Sequence, residues 1–351
     1  MAIDHQTFYQ RNAQGQLIAY STDDGEQVSW LARLDRFVAM TEAVDEAIWE
    51  KVTTEGLKPI LRALAPGVDA SRLRRFIQLA DDSSVQRNLH FSEPFQIFVQ
   101  ARNAARHPEE TASLDQRTQP RKKNITKEKE EDLIHLLKTL RSRILERTYR
   151  RRLSHRKEAA TNNFKRGKKL FEELFEAKSA LAVTRLELGH LNKPCFDISS
   201  AKADVKRFFN NLRSANSRSS LSELLGYVWK LEFTPSRGYY LHLVLIFEAI
   251  SVRNPAPRVA EIGELWRHLT LGRGYAFDCS LSPNAFHQVG IGVLKRDDRS
   301  ARDEFLKYGI EYLTMKDQFL KPYAPKTKLF DASQFRSANT KLKKQERGQA
   351  T

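Results

Sequence analysis

Two strongly apolar segments, separated by a short turn, constrain the fold more than any other part of the chain. GYVWKLEF (226–233) and YYLHLVLIF (239–247) carry the aromatic, aliphatic and β-branched residues that favour strands. TPSRG between them supplies the Pro and Gly of a hairpin turn. The apolar run is far shorter than the roughly 18 residues that a membrane span needs. We therefore expect an antiparallel β-hairpin within a soluble domain.

The segments around this hairpin alternate between strand-like and helix-like patterns. ALAVTRLELG, YAFDCSL and VGIGVLK are typical of strands, whereas SSAKADVKRFFNNLRSAN, VAEIGELWRHLTLG and SARDEFLKYGIEYLTMKDQFL are typical of helices. The resulting order is β-α-β-β-α-β-β-α. It predicts an α+β fold in which helices pack on an antiparallel sheet, close to a ferredoxin-like core.

The 351 residues are enough for two domains joined by a connector. We expect a helical N-terminal domain over 1–107, a linker over 108–125, a basic helical connector over 126–177, the sheet-containing domain over 178–330 and a disordered basic tail over 331–351. The N-terminal residues MAIDHQTFYQRNAQ lack the apolar segment of a secretory signal, and Cys195 and Cys279 have no CxxC spacing. We expect a cytoplasmic protein with no membrane partner.

Most of the chain's net charge of +16 lies around the predicted connector. Residues 119–170 contain 18 Lys or Arg and 6 Asp or Glu, a net charge of +12. A run dominated by one sign repels itself, and a phosphate backbone is the simplest partner to offset that repulsion; a solvated helix face is the alternative. The candidate nucleic-acid contacts are Arg150, Arg151, Arg152, Arg156, Lys157 and, in a later turn, Arg273.

His242 stands out because it lies inside an apolar strand. Side chains alternate between the faces of a strand, so Tyr240 and His242 share a face, and the hairpin brings Glu232 within reach. A carboxylate and an imidazole can hold a divalent cation. A hydrogen-bonded histidine of the core is the alternative.

Six segments resemble, in order, the C-terminal domain of the YagK/YfjJ family of inovirus-type replication proteins of filamentous phages and prophages. They are TRLELG, RFFNNLR, LGYVWKLEF, RGYYLHLVLIF, IGELWRHLTLGRGYAFDC and YLTMKDQFLK. The resemblance covers about residues 154–330, roughly half the chain. That family is similar to the HUH endonucleases, so the resemblance implies an HUH-type core, a bound Mg²⁺ or Mn²⁺ ion and a tyrosine that attacks a DNA phosphate.

The resemblance also assigns expected roles to particular residues. His242 matches the second histidine of the metal motif, Glu232 lies where a third ligand is often found, and Tyr312 matches the nucleophile. Tyr308, four residues earlier on the same predicted helix face, is a second candidate tyrosine.

Two positions depart from the family pattern. Tyr240 occupies the place of the first histidine of the metal motif. Met315 stands where a lysine usually follows the tyrosine, although Lys316 comes directly after it. Loss of nicking activity is therefore an open alternative.

We expect a phage- or prophage-type replication protein that binds an origin and nicks one strand of single-stranded or locally melted DNA, with host replication proteins as further partners. Two alternatives stay open. One is a non-catalytic DNA-binding protein, a repressor or an origin-recognition factor, on a degenerate HUH scaffold. The other is an RNA-binding protein, which would need stacking aromatic residues exposed on the face of its sheet.

Overall fold

The computed structural model describes residues 7–11, 17–21, 23–64, 70–83, 88–106, 130–191, 197–215, 223–235, 237–249, 256–279 and 292–335. The chain divides into two compact units, one of residues 1–25, 159–317 and 321–351 and the other of residues 26–158 and 318–320. This division falls inside the basic segment predicted as a connector. The predicted linker, 108–125, lies outside the described residues. None of the helices in the described ranges is both long and apolar enough to cross a membrane.

The described part of residues 23–158 is largely helical, in agreement with its apolar periodicity. Its helices are α1 (Asp23–Ala43), α2 (Glu46–Glu55), α3 (Lys58–Ala63), α4 (Ala70–Ser83), α5 (Glu93–Arg106) and α6 (Glu130–Ile144), with a short strand β3 (Leu89–Phe91) before α5. Phe37, Phe76 and Phe98 meet in its core, with ring centroids 5.4 to 6.4 Å apart. α1 and α2 are separate helices because Asp45 caps α2, accepting a hydrogen bond from the Ala47 N–H.

Two strands that the sequence analysis missed precede α1. They are β1 (Thr7–Arg11) and β2 (Leu17–Ser21), which pair antiparallel as a hairpin. The domain expected to be helical over 1–107 therefore also contains strands near its N-terminal end.

The other unit contains a six-stranded antiparallel sheet, so the α+β class is confirmed. Its strands are β4 (Ala180–His190), β5 (Leu224–Thr234), β6 (Gly238–Glu248), β7 (Gly274–Asp278), β8 (Gly292–Lys295) and, after the short β9 (Leu320–Pro322), β10 (Phe330–Ala332). The strands lie in the order β10-β5-β6-β4-β7, and β8 pairs with the first half of β4. The predicted hairpin of β5 and β6 forms two inner strands of this sheet.

Two helices cover one face of the sheet. They are α8 (Ile198–Ala215), which follows β4, and α9 (Ala256–Leu269), which follows β6. Trp266 anchors α9, because its indole Nε1 donates to the Gly189 carbonyl over 2.9 Å and its ring meets Phe208 edge to face. This face is a conventional aromatic core.

The last part of α7 (Arg147–Ala177) and the segment that follows β8 cover the opposite face. Their shared core contains Phe171, Leu174, Phe175, Leu181, Val183, Val228, Val244, Ile246, Phe305, Ile310 and Leu313. Gly167 permits the close approach of α7, because a Cβ atom there would lie 2.6 Å from Cγ2 of Ile310. Any larger residue at Gly167 must displace Ile310.

The segment after β8 is not the single long helix that its periodicity predicts. It consists of α10 (Arg299–Phe305), a π-helix (Leu306–Glu311), α11 (Tyr312–Met315) and a 3₁₀-helix (Lys316–Gln318). π-helical turns are rare and frequently lie at functional sites. This one immediately precedes Tyr312.

The predicted start of the disordered tail (331–351) lies too early in the sequence. Phe330 is buried in the core and β10 pairs with β5, so residues 331–335 belong to the fold. The pairing also includes a hydrogen bond from the Ser333 N–H to the Tyr227 carbonyl. Residues 336–351 lie outside the described part of the chain.

Candidate functional site

A cluster of polar side chains lies on the face of the sheet that is opposite to α8 and α9. In the register of the strands, His242 stands between Glu187 on β4 and Lys230 on β5, and Glu232 stands opposite Tyr240. Residues directly opposite each other point to the same face of a sheet, and alternation adds Arg185 to that face. The cluster therefore contains Arg185, Glu187, Lys230, Glu232, Tyr240 and His242.

Glu232 is buried within a shell of donors and positive charges. The Tyr240 hydroxyl donates to its Oε2 over 2.8 Å, and the Nζ of Lys316 lies 3.4 Å from the same oxygen. The Nζ of Lys230 lies 3.5 Å from Oε1. Burial alone raises the pKa of Glu232, but Lys316 and Lys230 outweigh it and hold this pKa well below the ordinary value of 4.5. Glu232 is therefore an ionised carboxylate between two ammonium groups.

Lys230 ties the sheet to the segment that carries the candidate tyrosine. Its Nζ donates to the Leu313 carbonyl and lies 2.8 Å from Oδ1 of Asp317. Lys230 is among the most buried side chains of the chain, so its charge requires these partners. The contacts fix the position of α11 and the 3₁₀-helix over Glu232.

His242 has a charged neighbour near each of its ring nitrogens. The Nε of Arg185 donates to its Nε2, and its Nδ1 lies 3.9 Å from Oε1 of Glu187. Burial, and next the charge of Arg185, hold the pKa of His242 well below its ordinary value of 6.5. The imidazole is therefore neutral, and because Nε2 accepts a hydrogen bond its own proton is on Nδ1.

Tyr312 is connected to this cluster through Arg185. The phenol ring is half-buried against the hydrophobic core, and the Arg185 guanidinium carbon lies 5.9 Å from the ring centroid. The Tyr312 N–H donates to the Lys307 carbonyl, five residues earlier, which is the π-helical pattern. Arg185 thus contacts both the candidate nucleophile and His242.

Tyr308 lies within the π-helix that immediately precedes Tyr312. The backbone hydrogen bonds of this segment join residues five apart. Tyr308 contacts the Nζ of Lys307, which lies 4.9 Å from its ring centroid.

The donor set fits a divalent cation poorly. Glu232 is neutralised by Lys230 and Lys316, Tyr240 directs its hydroxyl proton at Glu232, and Arg185 occupies Nε2 of His242. An added cation would have to displace these groups against their positive charge. Within the described ranges, no three His, Cys, Asp or Glu side chains are grouped so that they could hold a metal ion.

The residues predicted to contact nucleic acid have different environments. Arg150, Arg151, Arg152 and Lys157 are exposed on α7, and Arg150 pairs with Glu42 at 2.8 Å. Arg156 is only 6% exposed, and its guanidinium donates to the carbonyls of His90 and Phe91. It therefore supports the fold at β3 and does not present its charge to solvent.

Arg273 lies in the exposed turn between α9 and β7. Its Nε donates to the Thr270 carbonyl over 3.1 Å, which holds the guanidinium beside the end of α9. This turn contains the sequence segment GRG (272–274).

Sequence analysis missed five residues at this site. They are the cluster members Arg185, Glu187 and Lys230, and Arg237 and Asp317, which contact the cluster. A signal was present for the first three, because a charged residue inside an apolar strand is as unusual as a histidine there, and the same alternation places them on the face of His242. Asp317 directly follows Lys316 in the sequence, and Arg237 lies in the hairpin turn. The sequence gives no other signal for these two residues.

Comparison with known proteins adds no further assignment. No family model matches the chain. No curated protein and no solved structure matches it either.

Proposed function

We propose that the chain is a DNA-binding protein on an HUH-type, ferredoxin-like core, in which two lysine ammonium groups stand where the family holds a divalent ion. The strand order β7-β4-β6-β5, with α8 and α9 on one face, supports this proposal because it agrees with a β-α-β-β-α-β core. Among the hypotheses from sequence, it corresponds to the non-catalytic DNA-binding protein on a degenerate scaffold.

One observation carries the proposal. Glu232, the expected metal ligand, lies between the Nζ atoms of Lys316 and Lys230 at 3.4 and 3.5 Å. Two ammonium groups supply the positive charge that a divalent ion would bring, and they do so with side chains already fixed by burial. The charges of Lys230 and Lys316 therefore balance the Glu232 carboxylate without a metal ion.

The exposed basic side chains of α7 support nucleic acid as the partner. The segment RTYRRRLSHRK places Arg147, Arg150, Arg151, Arg152 and Lys157 at the surface. The described partner of Arg150 is itself exposed, and such ion pairs are worth little in water. Phosphate groups can therefore compete for these cations.

The salt dependence of DNA binding tests this proposal. We expect the logarithm of the association constant for a labelled oligonucleotide to fall linearly with the logarithm of salt concentration between about 50 and 200 mM. Arg151→Ala combined with Arg152→Ala should reduce that slope by about 1 to 2. Arg75→Ala, on the exposed surface of α4, is the matched control and should leave the slope unchanged. A slope near zero in the parent protein would contradict the proposal.

A second candidate function is metal-independent strand transfer by Tyr312, favoured by the contact of Arg185 with both Tyr312 and His242. In this reaction the phenol oxygen bonds to phosphorus, the P–O3′ ester bond breaks, the phenol proton passes to solvent, and the released 3′ oxygen takes a proton. Arg185 would stabilise the charge on the phosphate oxygens.

Single-stranded oligonucleotides incubated with the protein in EDTA test this candidate. A covalent adduct that is lost in Tyr312→Phe and kept in Tyr308→Phe would support it. If no adduct forms while DNA binding is intact, strand transfer by Tyr312 is rejected and the non-catalytic DNA-binding function is kept.

A further inference from the structure

The edge strand β7 carries two aromatic side chains on the same sheet face as the polar cluster. Phe277 stands directly opposite Glu187, and Tyr275 stands opposite Gly189. Because opposite residues share a face, both aromatic rings lie on the side of Glu187 and His242. Phe277 is 41% exposed, which is high for a phenylalanine on a strand.

The packing of neighbouring residues fixes this orientation. Ala276 points to the opposite face, because a Cβ atom built on Gly263 of α9 would lie 2.9 Å from its Cβ. Tyr275 lies over the backbone of β4, since a Cβ atom at Gly189 would lie 2.6 Å from its ring atoms. Gly189 thus leaves room for the Tyr275 ring. Phe277, two residues further along β7, exposes its ring to solvent.

An arginine side chain lies beside these rings. The Arg237 guanidinium lies 3.9 Å from the Tyr240 ring centroid, donates to Glu187 and hydrogen-bonds with Tyr275. Its side chain is still 39% exposed. The aromatic surface therefore lies beside an accessible positive charge.

An exposed aromatic ring beside a guanidinium group suits a particular ligand. Nucleobases of a single strand have free faces that stack on aromatic side chains, and their phosphates pair with arginine. Paired bases are stacked on one another and offer no such face. The charge and the aromatic surface are therefore complementary to an unpaired nucleic acid strand.

We infer that β7 is a stacking platform for single-stranded nucleic acid, in which Phe277 stacks on a base while Arg237 contacts a flanking phosphate. This inference rests on the proposed DNA-binding function and specifies the form of nucleic acid and where it lies.

Fluorescence titration with oligo-dT that contains 2-aminopurine, and with the matching oligo-U, tests the platform. We expect single-strand affinity to fall about 5- to 150-fold in Phe277→Ala, with the 2-aminopurine signal of unstacking reduced. Phe277→Trp should keep or improve affinity because the stacking surface is retained. Comparison of the two oligomers shows whether the platform prefers DNA or RNA.

Val293→Ala is the matched control, because Val293 is a 53% exposed side chain of the same sheet that stands opposite Ala182. It should bind both oligomers as the parent does. Thermal unfolding of Phe277→Ala should match that of the parent, which separates lost stacking from lost fold.

Two outcomes would overturn the inference, and they are distinguishable. If the parent binds duplex with a steep salt dependence and Phe277→Ala binds single strands as tightly as the parent, the platform is wrong and DNA binding stands. If the parent binds neither duplex nor single strands, the platform and the proposed function both fail.

Discussion

The Nζ of Lys316 lies 3.4 Å from Oε2 of Glu232, the same oxygen that accepts the Tyr240 hydroxyl. Lys316 follows directly after Met315, which occupies the position where the resembling family usually has its lysine. The shift of one residue places Lys316 at the start of a 3₁₀-helix and directs its ammonium group at the buried carboxylate. Tyr240, and Lys316 beside Met315, thus meet at Glu232.

Removing this ammonium group should destabilise the fold. Lys316→Met leaves Glu232 buried with one fewer positive partner, and breaking a buried ion pair costs about 3 kcal/mol or more. Denaturant unfolding of the parent and the variant measures the difference. Lys169→Met removes an exposed lysine that pairs with Glu173 and should change the free energy of unfolding by less than about 0.5 kcal/mol. Equal effects of the two substitutions would contradict a structural role for the Lys316–Glu232 pair.

The low pKa of Glu232 predicts loss of stability in acid. Its pKa in the folded protein is below the ordinary value of 4.5, so the unfolded chain binds the proton first as pH falls. The contribution of Glu232 is therefore complete above pH 4.5 and is lost progressively below it. Glu232→Gln should be less stable at neutral pH, and its free energy of unfolding should fall less than that of the parent between about pH 5 and pH 3. Parallel pH profiles would contradict this assignment.

The turn after α9 stores backbone strain at Leu271. Leu271 has a φ of 55° and is 79% exposed, while the N–H groups of Leu271 and Gly272 close the helix end on His268 and Arg267. Glycine is the usual residue at such a left-handed position, and a side chain there costs about 1 kcal/mol.

Leu271→Gly should therefore raise the free energy of unfolding by about 1 kcal/mol. Leu271→Ala keeps the Cβ atom and the strain, so its stability should remain near that of the parent. Chemical denaturation measures both. A loss of stability in Leu271→Gly would mean that the leucine side chain makes contacts that outweigh its strain.

The sheet was predictable from sequence because its pattern is local. Alternation and the TPSRG turn identify β5 and β6, and the same rule places Tyr240, His242 and Glu232 on one face. The partners of these residues come from elsewhere in the chain: Arg185 from β4 and Lys316 from the C-terminal segment. The register between distant strands, and the π-helix that precedes Tyr312, have no local signature. The charged neighbours of Glu232 and His242 could therefore not be predicted.

The strands near the two ends of the chain could not be predicted for a similar reason. β1 and β2 are short strands of five residues each, and β10 is a three-residue strand whose identity depends on the burial of Phe330. Periodicity over three to five residues does not distinguish a strand from a loop. The burial of Arg156 likewise depends on the carbonyls of His90 and Phe91, more than sixty residues earlier.

Calorimetric titration of the parent protein with Mn²⁺ shows whether Lys230 and Lys316 occupy the electrostatic place of a divalent ion. We expect no saturable heat of binding, and DNA binding that is equal in EDTA and in Mn²⁺. A stoichiometric heat of Mn²⁺ binding that disappears in both His242→Ala and Glu232→Gln would contradict it and would restore the metal site.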